Sequence, residues 1–264
     1  MIEWALAVTV HDPGERMPAR FDPWLGRVSA LYSHRVAACS NATSNRTLAA
    51  LKESGFEIQM SGSAGVGEAR RLAVWGALAG PPTAWIQYAD LDRLLHWESS
   101  FPAELRRVLA ARWRSEYVAL GRTARALRTH PKVQILAETL ANEAFSTMVG
   151  LKRRVDVVSG SALFSRRAAE ILSNLSTEPL TGTDLEWPGL ILRETGIMPQ
   201  FWKGEGLEFE TADYYSAEIE GAGSQAAWTA VVYDRPEVWV TRTKLVLDSI
   251  AALARVLSLP RGSS

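Results

Sequence analysis

The chain has 264 residues, of which 47% are hydrophobic and 22% charged, and its basic and acidic side chains are equal in number. This composition is typical of a globular protein, and a net charge of zero argues against a nucleic-acid partner. The single cysteine, Cys39, excludes an intrachain disulfide and suits a reducing compartment.

The sequence shows no targeting or membrane signal. No run of apolar residues approaches the length needed to span a bilayer, and the N-terminal residues lack the pattern of a signal peptide. We therefore expect a cytoplasmic protein without a transmembrane segment.

Strands and helices alternate in the first third of the chain. Short apolar runs predict four strands, and helical spacing of apolar residues predicts the helices between them. The predicted strands cover residues 4–10, 35–39, 56–60 and 84–89, and the helices cover residues 21–33, 45–54 and 68–78. This alternation is typical of βαβ units, so we expect a mostly parallel central sheet flanked by helices.

Polar segments follow each of these strands, at residues 11–14, 40–43, 61–67 and 90–93. The carboxyl ends of parallel strands lie at one edge of a sheet, and ligands of such sheets bind beyond that edge. The sequence therefore predicts one binding site to which all four segments contribute.

The fourth segment holds two carboxylates, Asp90 and Asp92. Residues two apart in a strand point to the same side, so the pair is expected to converge. Two carboxylates about 4 Å apart repel by about 4 kcal/mol at an effective dielectric of about 20, and a divalent cation removes that repulsion. Mg²⁺ commonly combines one or two carboxylates with water and substrate phosphates, so the pair predicts a metal-diphosphate site. The alternative is a surface turn that contains two aspartates.

The second half of the chain mixes helices with fewer strands. Predicted helices cover residues 101–117, 133–149, 166–175 and 183–194, and predicted strands cover residues 118–120, 155–164 and 197–202. Two further helices are expected at residues 216–233 and 236–257. Without a repeat or a clear linker, we expect one α/β domain over residues 1–210, with a C-terminal helical extension, 211–264, packed on it.

With four βα units that end in an acidic pair, the chain resembles the GT-A fold nucleotide-sugar glycosyltransferases, and within them the family-2-like members. The resemblance is firmest over residues 4–93 and extends to about residue 202. It implies a Rossmann-like domain with a nucleotide-binding half, 1–93, and an acceptor half, 94–210. It also implies transfer of a sugar from a nucleotide diphosphate sugar to a hydroxyl acceptor, with Mn²⁺ or Mg²⁺ held by Asp90 and Asp92.

Further site residues follow from the same resemblance. The stretch from Gly65 to Ala73 is similar to the glycine-led helix start of the family, in which a basic residue, here Arg70 or alternatively Arg71, contacts the donor. Glycines permit close backbone approach, and a helix N-terminus with an arginine favours phosphate. The segment around Gly160 is similar to the unit that lines the sugar and acceptor site. Other residues implied at the donor site follow the strands: Thr9, His11, Asp12, Ser40, Asn41 and Asp90.

Two acidic residues, Asp184 and Glu186, lie where inverting members of the family keep a catalytic base at a helix start. We prefer Asp184 as the base and Glu186 in sugar recognition. Either could instead cap the helix, for which Thr183 is also a candidate, and a retaining enzyme would need neither as a base.

The sequence departs from the family at three places. The first strand ends in His11-Asp12-Pro13, where the synthase-like members commonly have a proline–asparagine pattern. No histidine follows His130, so the late histidine metal ligand of some members is missing, and Ser40 and Asn41 replace the usual base-contacting acid. A non-catalytic sugar-nucleotide-binding protein is therefore an alternative. A sugar nucleotidyltransferase is less favoured, because residues 9–16 hold one glycine where that class has a glycine-rich loop. A homodimer is a further hypothesis.

Overall fold

The computed structural model describes residues 3–62 and 65–259. Seven strands form one sheet in the order β3-β2-β1-β4-β6-β5-β7. They are β1 (Trp4–Val10), β2 (His34–Ser40), β3 (Glu57–Ser61), β4 (Trp85–Asp90), β5 (Tyr117–Arg122), β6 (Ser161–Ser165) and β7 (Gln200–Gly204). The predicted mostly parallel sheet is confirmed, because only β6 runs antiparallel to its neighbours.

Twelve α-helices and one 3-10 helix accompany the sheet in the described part of the chain. The α-helices of the first half are α1 (Pro18–Ser29), α2 (Asn45–Glu53), α3 (Val66–Ala79), α4 (Leu91–Ser100), α5 (Pro102–Ala110) and α6 (Ala124–Arg128). The second half holds α7 (Lys132–Met148), α8 (Arg166–Leu175), α9 (Thr183–Thr195), the 3-10 helix Glu210–Tyr214, α10 (Ser216–Gly221), α11 (Gln225–Tyr233) and α12 (Pro236–Ser258).

The central strand β1 explains why the sheet is buried on both faces. Its residues alternate between two apolar cores: Ala5 and Ala7 face one, and Leu6 and Val8 face the other. All four are fully buried, as expected for a strand covered by helices on both sides. The continuous apolar run in the sequence therefore identified this strand correctly.

Antiparallel β6 brings the second half of the chain to the binding edge. Ala89 of β4 lies opposite Ser161 of β6, so the start of β6 meets the carboxyl end of β4. Gly160, which immediately precedes β6, is consequently placed beside Asp90. The three parallel strands β1, β2 and β3 end at the same edge, as predicted.

Several predicted boundaries were wrong. Asp90 and Asp92 do not lie in one strand, because β4 ends at Asp90 and α4 begins at Leu91. The predicted helix 101–117 ends at Ala110, and the predicted strand 155–164 begins only at Ser161. Thr183 does not cap α9, because the cap position is Gly182, which has no side chain to donate or accept.

The C-terminal helix α12 shares the main core. It packs on α7 and α9, and its apolar side chains belong to the same buried cluster as the β1 alanines. Within residues 3–62 and 65–259, no helix is both long and apolar enough to cross a membrane.

Candidate active site

Two cavities lie at the carboxyl edge of the sheet and share one residue, Asp90. The first cavity has a volume of about 400 Å³ and lies over the ends of β1, β2 and β3, where it is lined by residues that include Thr9, His11, Ser40, Gly65 and Asp92. The second cavity has a volume of about 230 Å³ and is lined by residues from the second half of the chain together with Arg70, Asp90 and Arg93. Asp90 is therefore the point at which the two halves of the chain meet.

Asp90 is held in a fixed orientation by neighbouring hydroxyls. Its Oδ1 accepts hydrogen bonds from Thr9 Oγ1 at 2.6 Å and from Tyr88 Oη at 2.9 Å. Burial acts to raise the pKa of this carboxyl, but the nearby guanidinium groups of Arg70 and Arg93 and the two hydroxyl donors lower it overall. Asp90 is therefore an ionised carboxylate whose position is set before any ligand binds.

Asp92 has the opposite protonation behaviour. It lies in the first turn of α4, and its Oδ1 accepts a hydrogen bond from the backbone N–H of Arg93 at 2.8 Å. Burial and the nearby negative charges of Glu210 and Asp90 raise the pKa of Asp92 to about 7. A cation bound beside this carboxylate would favour its ionised form.

The two aspartates fit a metal that also binds the substrate. Both line the first cavity, and carboxylate oxygen is the donor that Mg²⁺ and Mn²⁺ prefer. The residues described include no group of three or more acidic, histidine or cysteine side chains placed to hold a metal ion. The arrangement therefore suits a cation whose remaining positions are filled by water and phosphate oxygens.

Gly160 shows how closely the second half of the chain approaches Asp90. Its φ is +68°, a region that favours glycine, and an added Cβ would lie 2.9 Å from Asp90 Oδ2. The same Cβ would lie 3.3 Å from Nη1 of Arg93 and 3.6 Å from Nη2 of Arg70. A side chain at this position would therefore displace the Asp90 carboxylate, the group that the two cavities share.

Arg70 is bound to α9 instead of being a free phosphate ligand. Its Nη1 donates to Asp184 Oδ1 at 2.7 Å and to Thr183 Oγ1 at 2.6 Å, and its guanidinium lies 5.4 Å from the centre of the Tyr88 ring. Burial raises the pKa of Asp184 to about 6, although the Arg70 charge acts to lower it. Both residues line the second cavity. Arg71, the alternative in the sequence, donates to the carbonyl of Glu178 at 2.5 Å.

Three of the sequence-predicted donor residues, His11, Ser40 and Gly65, line the first cavity. His11 Nδ1 is 2.8 Å from Ser40 Oγ, which joins the ends of β1 and β2. Gly65 begins α3 with a φ of +115°. Its added Cβ would meet the Pro179 carbonyl oxygen at 2.5 Å, so the glycine also accommodates the segment before α9.

Two predicted donor residues are not among those lining either cavity. Asp12 is buried, and its carboxylate accepts hydrogen bonds from Thr47 Oγ1 at 2.7 Å, from the backbone N–H of Arg16 at 2.9 Å and from that of Met17 at 3.2 Å. It therefore holds the loop after β1 in place. Asn41 is exposed in the turn after β2.

Glu186 is directed away from the two cavities. One carboxylate oxygen accepts from the backbone N–H groups of Thr177 at 2.9 Å and Glu178 at 3.1 Å, and the other from Ser176 Oγ at 2.5 Å. Glu186 therefore connects α9 to the segment that precedes it. The structure does not bring it together with Asp184.

The structure adds site residues that the sequence did not indicate. Arg93, on α4, donates from Nη2 to Glu210 Oε1 at 2.8 Å, and both side chains are buried and line the second cavity. Tyr233 and Arg242, from α11 and the start of α12, line the same cavity. Each of these contacts joins residues far apart in the chain, so no local pattern could have revealed them.

Comparison with solved structures identifies the fold. This chain is similar to a crystal structure of glucosyl-3-phosphoglycerate synthase from Mycobacterium tuberculosis with Mn²⁺, uridine diphosphate and phosphoglyceric acid. The match covers 99% of this chain and 80% of the synthase chain, with a TM-score of 0.56 and 15% sequence identity. The chain has the fold of these sugar-transferring enzymes. The predicted GT-A-type architecture is thereby confirmed. No protein-family model and no curated sequence matches the chain.

Two further complexes of that synthase show the same similarity. The complex with Mn²⁺, uridine-diphosphate-glucose and phosphoglyceric acid matches 99% of this chain and 81% of its own, with a TM-score of 0.54 and 15% identity. The complex with phosphoglyceric acid alone matches 99% of this chain and 82% of its own, with a TM-score of 0.55 and 14% identity. The structural neighbours thus hold a metal, a nucleotide donor and a small acceptor on one fold.

Proposed function

We propose that this protein is a metal-dependent glycosyltransferase that moves a sugar from a nucleotide diphosphate sugar to a hydroxyl acceptor. The observation that carries the proposal is the meeting of two cavities at Asp90, an ionised carboxylate at the carboxyl edge of the sheet. The first cavity would take the nucleotide and the second the acceptor. The sugar would then cross between them beside Asp90.

The residues at the junction have distinct roles in this proposal. Asp90 and Asp92 would hold Mn²⁺ or Mg²⁺ against the diphosphate, and the bound cation would supply electrostatic stabilisation of the leaving group. Thr9, His11, Ser40 and Gly65 would contact the nucleotide, and Gly160 would leave room for the sugar.

Asp184 would accept the proton of the acceptor hydroxyl. It lines the second cavity, and the pKa of about 6 leaves it ionised at neutral pH while making it a stronger base than an exposed aspartate. Arg70 would hold the carboxylate in position through its 2.7 Å hydrogen bond. Glu186 has no direct role in this mechanism, because its carboxylate is occupied by Ser176 and the backbone.

Binding and turnover of nucleotide sugars test the proposal. The full chain is mixed with nucleoside diphosphates and their sugars, with and without Mn²⁺, and thermal unfolding is followed. A ligand at 100 times its Kd stabilises a protein by about 2.7 kcal/mol, which raises the Tm by about 5–10 °C for a chain of this size. Absence of any shift with metal present contradicts the donor site. Release of nucleoside diphosphate on turnover separates an enzyme from a non-catalytic binding protein.

Asp92→Asn tests the metal within the same experiment. We expect this variant to lose the Mn²⁺-dependent part of the shift, because one of the two carboxylate ligands is removed. Asp248→Asn, at an exposed aspartate on α12, is the matched control and should keep the full shift. An unchanged Mn²⁺ response in Asp92→Asn removes Asp92 from the ligand set.

A further inference from the structure

The second cavity combines charged and aromatic walls in a small volume. Phe209 and Tyr233 form part of its lining, and their ring centres lie 5.6 Å apart at an angle of 81°. Its volume of about 230 Å³ lies below the roughly 300–1,000 Å³ common for drug-sized ligands. The cavity is therefore sized for a small acceptor or for one terminal unit of a larger one.

The charges that line this cavity do not favour an anion. Among the described residues that line it, three are basic, Arg70, Arg93 and Arg242, and four are acidic, so the formal charge of these side chains is −1. The four acidic residues are Asp90, Glu138, Asp184 and Glu210. With Asp90 assigned to the metal, the other three carboxylates still equal the three arginines in number, so these side chains offer no net attraction to a phosphate ester, which carries about −1.5 to −2 charges at pH 7.

Two of the three arginines are already neutralised by carboxylates. Arg70 is paired with Asp184 at 2.7 Å, and Arg93 is paired with Glu210 at 2.8 Å. All four of these residues line the cavity. A phosphorylated acceptor would have to displace one of these carboxylates to reach its arginine.

The remaining charges follow the same pattern. Glu138 is paired with the fully buried Arg122. The distance from Arg122 Nη1 to Glu138 Oε2 is 2.6 Å, but the contact does not have hydrogen-bond geometry and is purely electrostatic. Arg242 has no carboxylate within 4.0 Å in the described part of the chain and is partly exposed. A single partly solvated guanidinium does not balance a phosphate in a cavity whose lining carries no net positive charge.

The same lining complements a ring of hydroxyl groups. Carboxylates accept hydrogen bonds from hydroxyl groups, and guanidinium groups donate hydrogen bonds to hydroxyl oxygens. Aromatic faces pack against the apolar side of a sugar. We propose that the acceptor is a small uncharged polyhydroxy compound, a sugar or polyol, and not a phosphorylated one. The proposal rests on the glycosyltransferase function proposed above, and it names the substrate class of the second cavity.

This inference separates the chain from its structural neighbours, whose complexes contain phosphoglyceric acid. An acceptor that carries a phosphate and a carboxylate needs unpaired cations. The described residues of this cavity offer one. The fold is therefore shared while the acceptor chemistry is expected to differ.

Matched pairs of acceptors test the inference. The full chain, with Mn²⁺ and the nucleotide sugar that gives the largest thermal shift, is assayed for nucleoside diphosphate release with glucose against glucose 6-phosphate and with glycerol against glycerol 3-phosphate. We expect kcat/KM for the uncharged member to exceed that for the phosphorylated member by about tenfold or more. A ratio of one or less overturns the inference.

A binding measurement tests the inference if the protein turns over neither acceptor of a pair. Acceptors are then compared by the further Tm shift that they cause in the presence of Mn²⁺ and uridine diphosphate. A larger shift with the phosphorylated member overturns the inference, and a larger shift with the uncharged member supports it. Failure of the nucleotide itself to shift the Tm would instead contradict the proposed function, so the two failures are distinguishable.

Glu210→Gln provides a test by gain of function. Removing this carboxylate frees Arg93 and raises the formal charge of the lining by one, so we expect the preference to move toward the phosphorylated member by about tenfold. Glu208→Gln is the matched control, because Glu208 is paired with Arg125 and His96 and is not among the residues that line the cavity. An unchanged ratio in Glu210→Gln, with Mn²⁺ and nucleotide shifts intact, shows that lining charge does not select the acceptor.

Discussion

At the scale of single residues, Gly160 is the position where backbone conformation and site geometry depend on each other. Its positive φ disfavours any side chain, and an added Cβ would press on Asp90 Oδ2 at 2.9 Å. The residue therefore controls two properties that can be measured apart: the stability of the turn before β6, and the position of the carboxylate between the two cavities.

Gly160→Ala should lose the Mn²⁺-dependent nucleotide shift as well as some stability. A non-glycine residue at left-handed φ costs about 1–2 kcal/mol. Gly150→Ala is the matched control, because Gly150 has a φ of +76° but no atom within 4 Å of an added Cβ. We expect similar losses of Tm in both variants and loss of ligand response in Gly160→Ala alone. Equal ligand responses would show that Gly160 has no effect on Asp90.

Asp184 gives the pH dependence of the proposed reaction. Burial raises its pKa from 3.8 to about 6, so the folded state holds the proton more tightly than the unfolded chain does. The stability contributed by this group is present below the unfolded pKa and is lost as the pH rises through about 6. The base form appears over the same interval, so kcat is expected to rise with pH around a midpoint near 6.

Asp184→Asn should remove that rise and lower kcat by about 10²–10⁴-fold, the range for loss of a general base. Nucleotide binding should change little, because Asp184 does not line the first cavity. The measurement is the pH–rate profile of both proteins between pH 5 and 9, with the Tm as a control for folding. A retained profile in the variant would assign the pH dependence to another group.

At the scale of elements, α9 depends on Glu186 for its connection to the segment before it. Three hydrogen bonds reach one buried carboxylate, from Ser176 and from the backbone of Thr177 and Glu178. Hydrogen bonds to charged groups contribute about 1.5–3 kcal/mol, and their loss leaves buried donors unsatisfied. Glu186, two residues after Asp184, therefore holds in place the start of α9, the helix that presents Asp184 to the second cavity.

Glu186→Ala is therefore expected to lower the free energy of unfolding by about 2–4 kcal/mol. Glu194→Ala is the matched control on the same helix, since Glu194 is paired with its sequence neighbour Arg193 at a partly exposed site. It should cost less than about 1 kcal/mol. Urea unfolding measures both values. A loss below 1 kcal/mol in Glu186→Ala, accompanied by a raised acceptor KM, would restore Glu186 to sugar recognition.

The elements also show what the sequence could predict. The strands β1 and β4 were predictable because both faces are buried, which leaves a continuous apolar run in the sequence. Helix α4 was missed because its acidic first turn, Asp90 to Arg93, was interpreted as a polar loop, although an acidic residue in the first turn is itself typical of a helix start.

The lining of the second cavity was less predictable for a physical reason. The pair of Arg93 with Glu210 joins positions 117 residues apart, and Arg242 reaches the cavity only because α12 packs on α7 and α9. Such contacts depend on tertiary packing and leave no periodic pattern. Asp90, Asp92 and Arg70 could be proposed from the sequence because the end of a strand and the start of a helix are local features.

At the scale of the whole molecule, α12 connects the C-terminal residues to the rest of the fold. Leu253 is fully buried and packs against Gly189 of α9, where an added Cβ would lie 2.7 Å from its Cδ1. Leu6 of β1 is equally buried in the other core, on the opposite face of the sheet. If the C-terminal helices and the sheet unfold as one cooperative unit, the loss of either leucine side chain must lower the stability of the whole fold.

We expect Leu253→Ala and Leu6→Ala each to lower the free energy of unfolding by about 2–5 kcal/mol, the usual cost of a leucine-sized cavity. Both variants should retain one unfolding transition, with the same midpoint by tryptophan fluorescence and by far-ultraviolet circular dichroism. A separate extension would behave differently: Leu253→Ala would create an early transition that leaves the main one at its wild-type midpoint. Helix α12 also supplies Arg242 and Ser249 to the second cavity. Coincident transitions would therefore mean that the packing of α12 is required both for the stability of the fold and for the shape of the proposed acceptor cavity.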